Sequence, residues 1–412
     1  MNPLAKRLGI TLVLFGILLG IGHSLKEPAV PEANALTDAP LLNPVIEVRL
    51  MSLSGHRPIP VQIAGRWKIL DGAKPGHPVL HPGSGGFEGH LFIDSTGPQL
   101  GPYRTNSDHV IVQTEAAEAL WLGTFLYPGK LHIRTEREKS GHVKRLNLSL
   151  EMPLEDYVMG VVCGEMSSMQ EGVHNALCAQ AIAARTYALQ KRGSKLGLRD
   201  DTFDQVFLGL DYRTFQAEAA IEATRGLVMQ WDNALLPAFF HANCGGGTAN
   251  AMEAGFSKSK LAPLQGTMES ACRTPHGIWE RVISAEQLDG LAQRYRIGEW
   301  LQGISTIERD ASGRLLEVRL LGDEEHEDLA GERLRAALSL PSMQLVEVEV
   351  KMDGSATFRG HGFGHGVGMC QTGAVRMARG GSSFQDILQH YYPETELVPL
   401  TSELRYLLPP LQ

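Results

Sequence analysis

The sequence predicts an α+β protein: a β-rich N-terminal module over residues 45–150, then a mixed α/β domain over 151–412 with an inserted subdomain at 282–345. Three observations predict it. Short runs of alternating polar and apolar residues fill the chain before residue 150, the pattern of half-buried strands. A long alanine-rich stretch places Ala176, Gln180, Ala183, Ala184 and Tyr187 on one helical face. Further on, glycine takes every second position from Gly360 to Gly368.

With 412 residues the chain has room for two or three domains and a sizeable core. Its net charge of −8, with no basic stripe of interleaved aromatics, argues against a nucleic-acid partner. Lys6 and Arg7 precede a mostly apolar run from Leu8 to Gly22, between a signal peptide and a spanning helix in length. Residues 1–25 fit an uncleaved signal anchor first and a cleaved signal peptide second. Ala33-Asn34-Ala35 has the small-x-small form of a cleavage site, rather far downstream. Either reading sends the rest of the chain to the extracytoplasmic cell envelope, membrane-anchored or secreted. Residues 26–44, rich in Pro and Ala, read as a linker.

The strands expected next include Val45–Leu50, Pro60–Ile63, Lys130–Arg134 and Leu146–Leu150, separated by turn clusters such as Asp71-Gly72 and Pro128-Gly129. His56, His77, His81 and His90 show no ligand spacing. Pro153, with Glu155 and Asp156 behind it, suits the first turn of a short helix. Val158, Val161 and Val162 give that helix an apolar face, and Gly164-Glu165 ends it. The alanine-rich helix follows to about Arg192. Its small residues let neighbours pack close, so it is expected to be central and buried. Ala238–Thr248 reads as a strand ending in a glycine-rich turn. In the subdomain, Ser284 and Gln287 form a capping box, Ile304–Glu308 and Leu315–Leu320 a hairpin, and Gly331–Arg335 a helix start. Ala374–Arg379 and Phe384–Tyr391 are two short closing helices.

Five cysteines without a CxxC spacing exclude a disulfide scaffold and leave at least one thiol unpaired. His241, Cys244 and Cys272 together offer an imidazole and two thiolates, which suits a structural zinc ion; a fourth position would come from His361, His365 or solvent. A Cys244–Cys272 disulfide, or two plain thiols, are the alternatives. Glu165 stands between apolar neighbours, which fits a carboxyl with a raised pKa as well as it fits a helix-end or surface glutamate. The alternating glycines strip Cβ atoms from one side of the chain, so a backbone or ligand can approach closely. That fits a glycine-rich core strand with two buried histidines, or the floor of a cleft.

The stretch GHGFGHGVGMCQTGA (360–374), with Gln371, Gly373 and the later Tyr391-Tyr392-Pro393, is very similar to the C-terminal signature of the stage II sporulation protein D family. Leu154–Leu189 resembles that family's other signature, and His241–Thr248 a softer one. Cys370 and Ala242 stand where serine is usual, and Ser167 where proline is usual. The resemblance implies a bacterial peptidoglycan-binding domain, often a lytic transglycosylase acting on glycan strands stripped of stem peptides. Glu165 then matches the catalytic acid, with Arg185, Tyr187, His361, His365 and Gln371 in or near the glycan cleft. The rival it implies is a binding module that enhances a cell-wall amidase. A zinc hydrolase built on His241 and the two cysteines is a third reading, without an evident general base.

Overall fold

The computed structural model describes residues 39–408, apart from positions 56, 95–96, 116–119, 193, 195–196, 270–271 and 273–276. The expected signal segment and most of the linker therefore lie outside the described residues, as does His56. Among the described residues no helix is long and apolar enough to cross a membrane. The architecture is mixed α+β.

The first part of the chain is all strand, in two sheets. The larger has seven strands, in the order Leu198–Arg199, Val45–Arg49, Val143–Pro153, Lys130–Arg137, His109–Thr114, Trp67–Asp71 and Val79–Gly83. Its neighbours run antiparallel except for the parallel first pair. The alternation read in the sequence sets its faces: Ile46, Val48, Leu131, Ile133, Leu148 and Leu150 are buried. On the other face Arg134 donates to Glu47 at 2.6 Å and Lys130 to Glu151 at 2.7 Å. The second sheet has six strands, with Ile59–Ile63 paired to Phe87–Ile93 on one side and Leu120–Leu122 on the other.

Helix α1 (Leu154–Glu165) follows directly, and α2 (His174–Lys191) is the alanine-rich helix. Every residue of α2 from Ala176 to Leu189 is buried. It packs against α1, α3 (Phe215–Ala223), α6 (Gln371–Arg379), α7 (Phe384–Tyr391) and the strand Leu227–Trp231. Small side chains on most of its surface make that number of close neighbours possible.

Between these parts lies a region with its own core, built on Val318, Leu320, Leu334 and Phe358. It holds two three-stranded sheets, α4 (Ala285–Tyr295) and α5 (Gly331–Leu338), within Ile278–His361. The Ser284–Gln287 capping box forms as the sequence implies. The hairpin gains a third strand, His326–Ala330, whose charged residues gave no strand signal.

Candidate functional site

Glu165 is the last residue of α1, and two glycines decide what it meets. A Cβ on Gly164 would stand 2.7 Å from the Val206 carbonyl oxygen, and one on Gly160 2.4 Å from the Phe207 ring. The segment 204–207 therefore lies directly on the helix. It is pinned there: Asp204 accepts from the Tyr187 hydroxyl at 2.6 Å, and Gln205 accepts from Tyr157 at 3.1 Å. Val206 N–H then donates to Glu165 Oε1 at 2.7 Å. From the far side Gln371 Nε2 donates to Glu165 Oε2 at 3.2 Å. The residue stays half-buried while its carboxyl is enclosed by protein. Burial raises its pKa above the usual value, and the two N–H donors only oppose that push.

The other residues named from the sequence separate into groups. Gln371 is at the site. Tyr187 supports it at one remove: its buried ring packs edge-on to Phe239, and its hydroxyl holds Asp204. Arg185 is 0% exposed, bidentate on Glu155 at 2.9 and 2.8 Å, and donates to the Leu227 carbonyl at 3.0 Å. With its guanidinium so committed inside the core, the structure gives it the surroundings of a packing residue rather than of a glycan contact. The nitrogens of His365 are both used: Nδ1 accepts from Val367 N–H at 3.0 Å, and Nε2 reaches the Phe240 carbonyl at 3.0 Å. Burial pushes its pKa well below the usual value, so it is a neutral strut. His361 closes the strand Ala356–His361, and its carbonyl accepts from Trp279 and Ser342.

The glycine alternation has a steric cause. Gly362, Gly364, Gly366 and Gly368 all have positive φ, so the strand, one of the two readings open for this run, ends at His361. A Cβ on Gly368 would lie 1.9 Å from the Phe239 carbonyl oxygen. One on Gly366 would lie 2.3 Å from the buried side chain of Arg314. Arg314 is a residue the sequence reading missed: from the inserted region it donates to the Cys244 and Gly247 carbonyls, each at 2.6 Å.

Close by, the short strand Phe240–His241 runs parallel to Met369–Cys370 and brings three thiols together. Cys244, Cys272, Cys370 and Glu269 are all buried, with one ligand atom from each within 4.8 Å of the others, an arrangement that could hold a metal ion. Cys272 and Cys370 Sγ are 3.7 Å apart, and Cys244 Sγ is 3.4 Å from Glu269 Oε2. All five cysteines are free, so the Cys244–Cys272 disulfide is not formed. Of the ligands read from the sequence, Cys244 and Cys272 belong to this group, and Glu269 and Cys370 join them. His241 is not one of these four: its Nδ1 is 3.1 Å from the Val367 carbonyl, while its buried Nε2 has no hydrogen-bond partner. His361 and His365 are not members either. Neighbouring thiols hold Cys244 well below the usual thiol range, while Cys272 is pushed up to about 12. Arg376 donates to Glu269 at 2.6 Å and to Cys272 at 3.4 Å, and Tyr391 also donates to Glu269.

Residues 142–231 match the family model described as Stage II sporulation protein, and residues 273–368 match a domain of unknown function, DUF8618. The chain is similar to an uncharacterised protein of Brachyspira hyodysenteriae, 32% identical over 259 residues that cover 60% of this chain and 67% of that one. It is similar to Stage II sporulation protein D of Bacillus amyloliquefaciens, 31% identical over 277 residues, 61% of this chain and 76% of the relative. A protein of Bacillus subtilis named Amidase enhancer is 28% identical over 291 residues, 58% of this chain and 40% of that protein.

Proposed function

The chain belongs to the stage II sporulation protein D family, and from that premise we propose that it is a peptidoglycan lytic transglycosylase with Glu165 as both acid and base. The observation that carries the reading is the enclosed carboxyl of Glu165, its pKa raised by burial and held between two N–H donors. Protonation of a glycosidic oxygen needs a carboxyl that keeps its proton, and a raised pKa favours that form. Glu165 gives its proton to that oxygen as the bond from the anomeric carbon breaks. The carboxylate then takes the proton of the same sugar's 6-hydroxyl, which closes on the anomeric carbon. No water is consumed, and the product carries a 1,6-anhydro end. Phe203, three residues before Val206, and Phe363, in the glycine run, are 63% and 59% exposed and offer rings for stacking on sugars.

The reading includes an extracytoplasmic location, supported by the apolar segment Leu8–Gly22. It also takes the metal as zinc. Three thiolates and a carboxylate suit that ion, and tetrahedral Zn–S bonds of about 2.3 Å set sulfurs roughly 3.8 Å apart, close to the 3.7 Å between Cys272 and Cys370. Zinc there would tie Cys244, Glu269 and Cys272 to Cys370 at the start of α6. The second reading, a glycan-binding enhancer of a cell-wall amidase, is favoured by the relative of that name.

The test is mass spectrometry of denuded glycan strands incubated with the purified chain. Anhydro-ended fragments are expected, with Glu165→Gln slower by about 10²–10⁴ while still binding glycan. Equal product release by wild type and variant overturns the role of Glu165. Binding without release by either protein gives the amidase-enhancer reading.

A further inference from the structure

Gln371 heads α6 and stands between two side chains rather than in solvent. Its Nε2 is 3.2 Å from Glu165 Oε2 and 3.4 Å from Gln180 Oε1. Gln180, on α2, is 0% exposed, and its own Nε2 has no hydrogen-bond partner. A carboxyl is thus backed by two amides in series, the second with a stranded N–H₂ in the protein core. Such groups are rare, and each asks for an explanation.

The explanation lies in the two ends of an amide, which are nearly the same shape but opposite in hydrogen-bonding sense. While Glu165 is ionised it only accepts. Gln371 must then offer its N–H₂, one hydrogen to Glu165 and the other to the Gln180 carbonyl, which strands the Gln180 amide nitrogen. Once Glu165 is protonated, its O–H needs an acceptor. A half-turn of the Gln371 amide supplies a carbonyl oxygen, and a half-turn of Gln180 lets the stranded N–H₂ donate to the same oxygen. The group left over is then a carbonyl, which a protein interior tolerates more readily than an N–H.

Resting on the reading of Glu165 as the acid, we propose that Gln371 and Gln180 are positioning residues, a two-state amide relay that satisfies Glu165 in either protonation state and aims its proton. The elements packed on this carboxyl supply few other titrating groups. Tyr157 lies on α1; Tyr187 on α2 is bonded to Asp204 of the 204–207 segment; and no cation hydrogen-bonds to Glu165 among the described residues. The proton therefore has the amides as its main polar neighbours.

The relay is tested by NMR on the full chain, following the Glu165 carboxyl carbon and the glutamine side-chain amides through a pH titration. In the wild type the Gln371 and Gln180 amide signals are expected to shift together through the Glu165 midpoint. If they stay still while Glu165 titrates, the relay is wrong. Gln371→Met removes a donor from the ionised carboxylate, so the Glu165 midpoint and the alkaline limb of the rate profile should move to higher pH, with about a tenfold loss in kcat. Gln180→Met cannot touch glycan, yet it should displace the same midpoint and lower kcat with KM unchanged. A Gln371→Met protein that raises KM alone, beside an inert Gln180→Met, would make Gln371 a substrate contact and overturn the relay. The titration reads Glu165 without any substrate, so failure of the relay is distinguishable from failure of the transglycosylase reading.

Discussion

Glu165 carries a cost that can be measured without substrate. Its pKa is raised above 4.5 in the folded chain, chiefly by burial. Between the unfolded and folded values the native state holds more protons than the unfolded state, so stability is lost as pH rises through that window. Glu165→Gln removes the charge and keeps the shape. Thermal melts should show the variant more stable than wild type at about pH 8, with the gain fading at about pH 4. Equal melting at both would mean that the site does not penalise the ionised form. The residues around it leave Glu165 open between a buried carboxyl and a helix-end or surface glutamate, and it is the resemblance of Leu154–Leu189 to the family's signature that singles it out. Glu269 is not read as a ligand: Cys272 stands three residues on, but Cys244 sits 25 residues before it and Cys370 101 residues beyond it, and only the fold brings those two near. Arg185 did carry a signal. An arginine within an alanine-rich buried helix, with no acid at i±3 or i±4, needs a distant partner, which proves to be Glu155.

At the scale of elements α1, α2 and the capped start of α4 are legible, because their pattern is local, whereas α3 is not read from the sequence. The glycine run stays open between a core strand and the floor of a cleft, because alternate glycines look like a strand until their φ values are known. Helix α6 begins three residues earlier than its apolar pattern suggests, since Cys370 Sγ accepts from Gly373 N–H at 3.3 Å and caps it. The same sulfur accepts from Cys244 N–H at 3.2 Å, so this cap is also where two strand ends meet. If a metal sits there, elemental analysis should find about one zinc per chain, Cys272→Ser should lose most of it, and a chelator should lower the melting temperature. Metal-free protein with a Cys272–Cys370 linkage in a non-reducing peptide map would show that the cluster is an oxidisable thiol group instead.

For the molecule as a whole, the question is how the inserted region is held. Arg314 is 3% exposed and reaches out of that region to two carbonyls of the Cys244–Gly247 turn. Hydrogen bonds from a charged donor contribute roughly 1.5–3 kcal/mol each, and removing the donor leaves its acceptors buried and unpaired. Arg314→Met should therefore destabilise the chain by about 3 kcal/mol, read as a lower urea midpoint. It should also speed proteolysis in the turn. An unchanged midpoint would mean that the inserted region is held elsewhere. No spacing rule leads from the Ser312-Gly313-Arg314 turn to the glycine run; the contact depends on tertiary packing.

The hydrogen bond from Gln371 to Glu165 spans 206 residues of sequence. A ribosome delivers α1 long before it delivers α6, and at roughly 5–20 residues per second the interval is tens of seconds at the slow end. Throughout it the acid lacks one of its two donors and α2 lacks two of its packing partners. A contact of such long range forms late, because its loop-closure entropy has to be met first. The newborn chain thus holds Glu165 without this contact, and a molecule cut short before residue 371 keeps the glutamate without that partner.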